Sequence, residues 1–292
     1  MLRLLLQELR FRRNAIIGWG LGLCFFPIIY VGLYPSFADQ MANFQEILDL
    51  AIYQAMGITM ASFEGYMAST VTNLVPVILS IYAVINGTGT LAGEDDNGRL
   101  ELIVALPIPR WQIVTVKAIA LGIALFLILV IVSTGAALTF AAIEGQIETN
   151  VTSVDVFLSL SSAWALVMAF GMISLFLGAF CSSRRAAAML ATVVVLASYL
   201  GSNLAGMVSS LESLKIFFLF HFYDATAEAF ENGQQTADIL ILLGVGLVAF
   251  GVALLFFQQR DITVGAWPWQ RAQAQRSIHQ LKSSRFQTIW NG

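Results

Sequence analysis

Six apolar runs constrain this chain more than anything else in it: 15–34, 66–91, 113–143, 156–181, 186–208 and 237–257. The shortest holds 20 residues, and a helix of that length covers the roughly 30 Å of a bilayer core at about 1.5 Å per residue. Composition agrees, since only 11% of residues are charged while 58% are hydrophobic, against about 25% charged in soluble domains. The fold class read from this is an all-α membrane protein, one domain over 1–292 with six spans. The run 113–143 exceeds what a bilayer needs, so it must tilt or project.

The distribution of basic residues gives an orientation. Fourteen of the 15 Lys and Arg residues sit before the first run, in the connection between the second and third or within five residues of its end, in that between the fourth and fifth, or after the sixth. Only Lys215 lies in an odd-numbered connection. By the positive-inside rule both termini are expected in the cytoplasm. Residues 1–14 place Leu2, Leu5, Leu6 and Leu9 on one helical face and Arg3, Gln7 and Arg10 on the other, the pattern of an interfacial helix. A cleaved signal peptide would begin similarly, but the run that follows is too long for its apolar core.

The most highly charged interruption between apolar runs is GEDDNGRLELIVALPIPRWQIVTVK, from Gly93 to Lys117. Glu94, Asp95, Asp96, Arg99 and Glu101 precede Leu100, Leu102, Ile103 and Leu106 at helical spacing, and an anionic first turn suits the positive end of a helix dipole. Pro107 and Pro109 stop that helix, because each lacks an amide proton and pushes its predecessor out of the α region. A short amphipathic helix on the membrane surface, tied to two spans over 93–110, is expected.

Glu94, Gly98-Arg99-Leu100-Glu101-Leu102, Pro107, Arg110 and Lys117 together resemble the coupling segment of the permease subunits of ABC-2 type exporters, with Arg99 where Thr is commoner. The six-span plan extends the resemblance over most of the chain. It implies that Glu94, Asp95, Asp96, Gly98, Arg99, Leu100, Glu101, Leu102, Pro107 and Arg110 bind a separate ATP-binding subunit. Two such subunits would serve a permease dimer in the plasma (inner) membrane of a prokaryote, with residues 1–14 as the elbow helix. It also implies that Mg-ATP is held in the partner, with no cofactor in this chain.

The residues themselves carry no sign of catalysis. There is no GxxxxGK[ST] loop, HExxH pair or serine nucleophile elbow, and His221 and His279 stand alone. No nucleic-acid partner is implied. Ion-driven transporters keep ionisable relays inside their spans, and the span interiors here read as free of Asp, Glu, Lys and Arg. Energy must then come from outside the chain. The alternative is a membrane receptor or scaffold that binds a cytoplasmic partner without transport. Cys24 and Cys181 fall at a span centre and a span end, so they read as free thiols.

Three further stretches carry expectations. In the second span, Pro76 predicts a kink, and Asn73 beside it either lines a pathway or bonds a neighbouring helix. Gly18 and Gly22 form a GxxxG pair suited to close helix packing. Between the fifth and sixth spans, Leu214–Tyr223 reads LKIFFLFHFY, too short to span and too aromatic to lie exposed. It fits a re-entrant helix with Phe217, Phe218 and Phe220 as an outer gate, or a helix flat on the outer surface. The amphipathic stretch 36–64 is expected at the outer interface and 258–292 as a cytoplasmic tail. Cysteines placed at Gln45 and Glu148 are expected to react with an impermeant thiol reagent from outside intact cells, and cysteines at Asn97 and Gln273 are not; the reverse pattern would invert the orientation.

Overall fold

The computed structural model describes residues 1–41, 62–96, 109–147, 149–181 and 183–259. The expected surface helix over 36–64 lies mostly outside these residues, as do the middle of the 93–110 segment and nearly all of the tail. Among the described residues all regular structure is helical, and six helical stretches are long and apolar enough to cross a membrane.

Helix α1 runs from Leu2 to Met41 and is the first span. The second span begins with α2 (Phe63–Met67), passes through a π-turn (Ala68–Thr72) and continues as α3 (Asn73–Asp96). The third is α4 (Arg110–Ile143) and the fourth is α5 (Ser153–Ser162) followed by α6 (Trp164–Phe180). The fifth is α7 (Arg184–Met207). Two 3-10 stretches, Ser209–Phe217 and Leu219–Phe222, lead to the short α8 (Glu228–Asn232) and then α9 (Thr236–Gln259), the sixth span. The near face below is the one where α1 begins; the far face is opposite.

Local chemistry sets several of these boundaries. Ser62 caps the second span by accepting from the Gly65 amide at 3.1 Å. Thr152 and Asp155 form a reciprocal capping box at the start of the fourth span. Ser183 accepts from the Ala186 amide at 3.3 Å to start the fifth. Pro109 stands immediately before α4, where its missing amide costs no intrahelical bond.

Three elements differ from expectation. Residues 1–14 are not a separate helix, because α1 passes Asn14 and Ala15 without a break and the sequence there has neither Gly nor Pro to make one. At 40 residues, α1 is about 60 Å long, and it contains Pro27 and Pro35. The fourth span, read as one run, is divided at Ala163, whose amide bonds back to the Leu160 carbonyl at 3.3 Å. Gly18 and Gly22 have open space around them, whereas Gly20 meets Ile131 of the third span. The pair therefore lies on the outward side of α1, away from the rest of the bundle.

The fourth span is the centre of the bundle, packed against the second, third, fifth and sixth, while the first lies along the third. Phe63, Tyr82, Phe140 and Phe170 are almost completely buried between them. The second and fourth spans approach with almost no side chain between. A Cβ at Gly87 would stand 2.6 Å from Ser174 Cβ and 2.9 Å from the Gly171 carbonyl oxygen. At Gly178 it would stand 3.2 Å from the Thr88 carbonyl oxygen. Small residues permit such contact, and dispersion with backbone proximity drives it inside a membrane. Gly87→Ala is therefore expected to destabilise the purified protein by about 1–3 kcal/mol through overpacking. Gly18→Ala, in open space, should be neutral or slightly stabilising. Thermal unfolding in detergent separates the two, and equal melting temperatures would contradict the seam.

Candidate functional site

Two polar clusters interrupt this apolar bundle, one at each face. At the near face the second span ends at Asp96 and the third begins at Arg110, so the two frame the acidic segment. The backbones of Glu94, Asp95 and Asp96 form the last turn of α3. Gly98, Arg99, Leu100, Glu101, Leu102 and Pro107 lie outside the described residues. Arg110 opens the third span, and its guanidinium donates to the Gln258 carbonyl of the sixth at 3.5 Å.

Just inside this frame sits a charge network. Lys117 is 3% exposed, and its ammonium donates to Glu8 Oε1 at 2.9 Å. Glu8 Oε2 lies 3.6 Å from Arg12 Nε. Arg12 then donates through Nη1 to Asn86 Oδ1 at 3.2 Å and through Nη2 to Thr90 Oγ1 at 3.1 Å. Asn86 is itself fixed by donating to the Tyr82 carbonyl at 3.0 Å. Residues of α1 thus tie together both arms of the hairpin that carries the acidic segment. The reading of the span interiors as free of charge is corrected here. Lys117 lies about 10 Å inside α4, counting 1.5 Å per residue from Arg110, and a buried ammonium persists only when paired. Its partner Glu8 also pairs with Arg12 at i, i+4, a spacing visible in sequence but without a hint of what it faces.

The far-face cluster joins the π-turn of the second span to the connection between the fifth and sixth. Asn73, Tyr199, Ser202, Phe220 and Tyr223 line a cavity of about 360 Å³. Asn73 Oδ1 is buried and has no hydrogen-bond partner among the described residues. Pro76 is buried within α3. The three phenylalanines proposed as a gate do not converge. Phe217 is 76% exposed, Phe218 lies against Gly201, and Phe220 is buried with ring centroids 5.5 Å from Phe170 and 5.2 Å from Tyr199. Of the aromatics on the third and fourth spans, Phe140 and Phe170 are core residues, while Phe126 is about half exposed.

The backbone of this connection turns back toward the bundle. The Phe220 amide donates to Ser198 Oγ at 3.1 Å, nine residues before α7 ends, a depth of about 14 Å. Tyr223, 6% exposed, donates its hydroxyl proton to the Thr72 carbonyl at 3.3 Å. Burial first, and the charge of Asp224 second, push its phenol pKa well above the ordinary value. A tyrosine ionises less readily there, so its proton stays on the oxygen that donates. Among the described residues no group of three or more His, Cys, Asp or Glu gathers as a metal site.

The near-face network makes an ordering of stabilities testable. Glu8→Gln leaves the buried Lys117 ammonium without its anion, and is expected to cost about 3–5 kcal/mol. Adding Lys117→Met to it should recover part of that loss, because the buried ammonium is then removed. Thermal unfolding of the two purified variants checks this; a double variant no more stable than Glu8→Gln alone would show that the pair is not coupled.

A family model described as ABC-2 family transporter protein matches residues 2–262. No curated protein matches the chain. The matched region contains all six spans, the acidic connection and both polar clusters, and the family's members are membrane components distinct from the ATPase that serves them. The chain belongs to the ABC-2 family of transporter proteins.

Proposed function

We propose that this chain is the permease subunit of an ATP-driven exporter that works as a dimer with two separate ATP-binding subunits. The near face is cytoplasmic in this reading, as the basic residues require. The ATP-binding subunit docks on the 93–110 segment, with Glu94, Asp95, Asp96 and the residues through Arg110 as its contact. Mg-ATP is bound and hydrolysed in that partner.

The observation that carries the reading is the Lys117–Glu8–Arg12–Asn86/Thr90 network. A motor can drive a conformational change only if it interacts differently with the two states, and the load must then pass into the bundle. Here the two helices that flank the docking segment are each bound to α1, and through it to each other, by Glu8 and Arg12. A push on the segment reaches three spans together. At the far face, the connection from Ser209 to Asn232 serves as the cap of the exit path, dipping beside Ser198 and returning. Phe220 is its buried anchor, and Phe218 packs on Gly201. An amphiphilic or apolar cargo suits a bundle whose spans carry so few polar groups.

Replacing Glu94, Asp95 and Asp96 by Lys tests the docking. The variant is expected to lose the ATP-binding subunit on co-purification while its melting temperature stays close to that of the parent, since in this reading the three charges serve a partner outside the chain. Retention of the partner at parental affinity would remove this segment as the docking element. A partner retained by the parent chain without ATP-dependent movement of any solute would favour a scaffold.

A further inference from the structure

Two of the six spans are interrupted, and one side chain reaches both interruptions. In the second span the π-turn Ala68–Thr72 is followed by Pro76. An unbroken helix would have the residue 76 amide donate to the Thr72 carbonyl, but proline has no amide proton. The Tyr223 hydroxyl donates to that same carbonyl at 3.3 Å. In the fourth span the division falls between Ser162 and Trp164, and the Ser162 side chain, whose hydroxyl donates to the Ser159 carbonyl, lies close to the same phenol oxygen.

The chain around Tyr223 is held so that this contact is specific. On one side, Phe220 is fixed by its amide bond to Ser198 and its stacking on Phe170 and Tyr199. On the other, the Asp224 amide donates to Gln234 Oε1 at 3.0 Å, and Gln234 Nε2 donates back to the Asp224 carbonyl. Tyr223 therefore projects from a closed loop into the bundle, where it is 6% exposed. It also forms a wall of the 360 Å³ cavity beside Asn73 and Ser202. Interrupted helices supply backbone groups that must find other partners inside a membrane, and π-turns recur where a helix has a functional bend.

We propose that Tyr223 is a positioning residue, the latch of the far-face cap. Its hydroxyl stands in for the amide that Pro76 cannot supply, so the bent second span and the docked connection are held as one state. Tyr223 acts on the second span and not on the cargo. The inference rests on the reading of Ser209–Asn232 as the cap of the exit path, and it is tested without the ATP-binding subunit, so failure of motor docking leaves the result unaffected.

The test uses the full chain in nanodiscs, with Cys24 and Cys181 replaced by Ala and Ser202→Cys introduced on the cavity wall. The quantity measured is the rate of alkylation by an impermeant maleimide. Tyr223→Phe keeps the ring and removes the bond, and is expected to raise the rate about fivefold, as the loss of one hydrogen bond predicts. Tyr199→Phe, which alters a phenol on the same cavity, should leave the rate unchanged. Pro76→Ala restores an amide that competes for the Thr72 carbonyl, and should raise the rate to a similar extent. Because both act on one carbonyl, Tyr223→Phe with Pro76→Ala should go no further than either alone. An unchanged rate in Tyr223→Phe, or two effects that multiply, would overturn the latch.

Discussion

A lysine ammonium inside a helical bundle has to be paired, and much of the near face follows from satisfying Lys117. Its carboxylate comes from Glu8 on a different helix, so α1 must extend well before the membrane and stay helical through residues 1–14. Glu8 in turn orients Arg12, and Arg12 is satisfied by Asn86 and Thr90 on the second span. One buried charge thereby fixes the relative positions of three helices. Removing either member of such a pair is costlier than having neither, which makes the arrangement a device for register more than for stability.

The far face obeys a different constraint, the satisfaction of backbone groups. Where helices are interrupted, carbonyls lose their usual donors, and the membrane interior offers no water to replace them. The second span meets this with a side chain from the connection between the fifth and sixth, and the fourth span places its own division at the same spot. The two faces thus differ in kind. One is knit by charge between spans, the other by hydrogen bonds between spans and a connecting segment. The acidic segment and the connection between the fifth and sixth spans thus stand at opposite ends of the second span.

The architecture was largely legible in the sequence because bilayer thickness leaves few options for long apolar runs, and capping residues such as Thr152, Asp155 and Ser183 announce helix starts. What failed to show had no local signal. Nothing between Arg13 and Ile16 breaks a helix, so the join of the expected elbow to the first span could not be read. Ala163 is an unremarkable residue whose turn depends on its surroundings. Lys117 was visible as a motif position, yet its burial depended on Glu8, 109 residues away. The run LKIFFLFHFY is too apolar to float, but it folds as two 3-10 stretches separated by an extended Phe218, and this break in the middle of the run puts Phe217 and Phe220 on different sides. Tyr223, at the end of that run, was read only as one more aromatic.

The glycine seam between the second and fourth spans has a mechanical consequence. With Ser174 and the Gly171 carbonyl so near Gly87, the two helices meet there almost backbone to backbone. That contact is a natural pivot. Gly87 lies nine residues from Asp96 and 15 from Thr72, so the pivot divides the second span into arms of about 14 Å and 23 Å. The helix is a lever of unequal length, and a small tilt applied beside the acidic segment is returned, enlarged by roughly five to three, at the carbonyl where Tyr223 is bound.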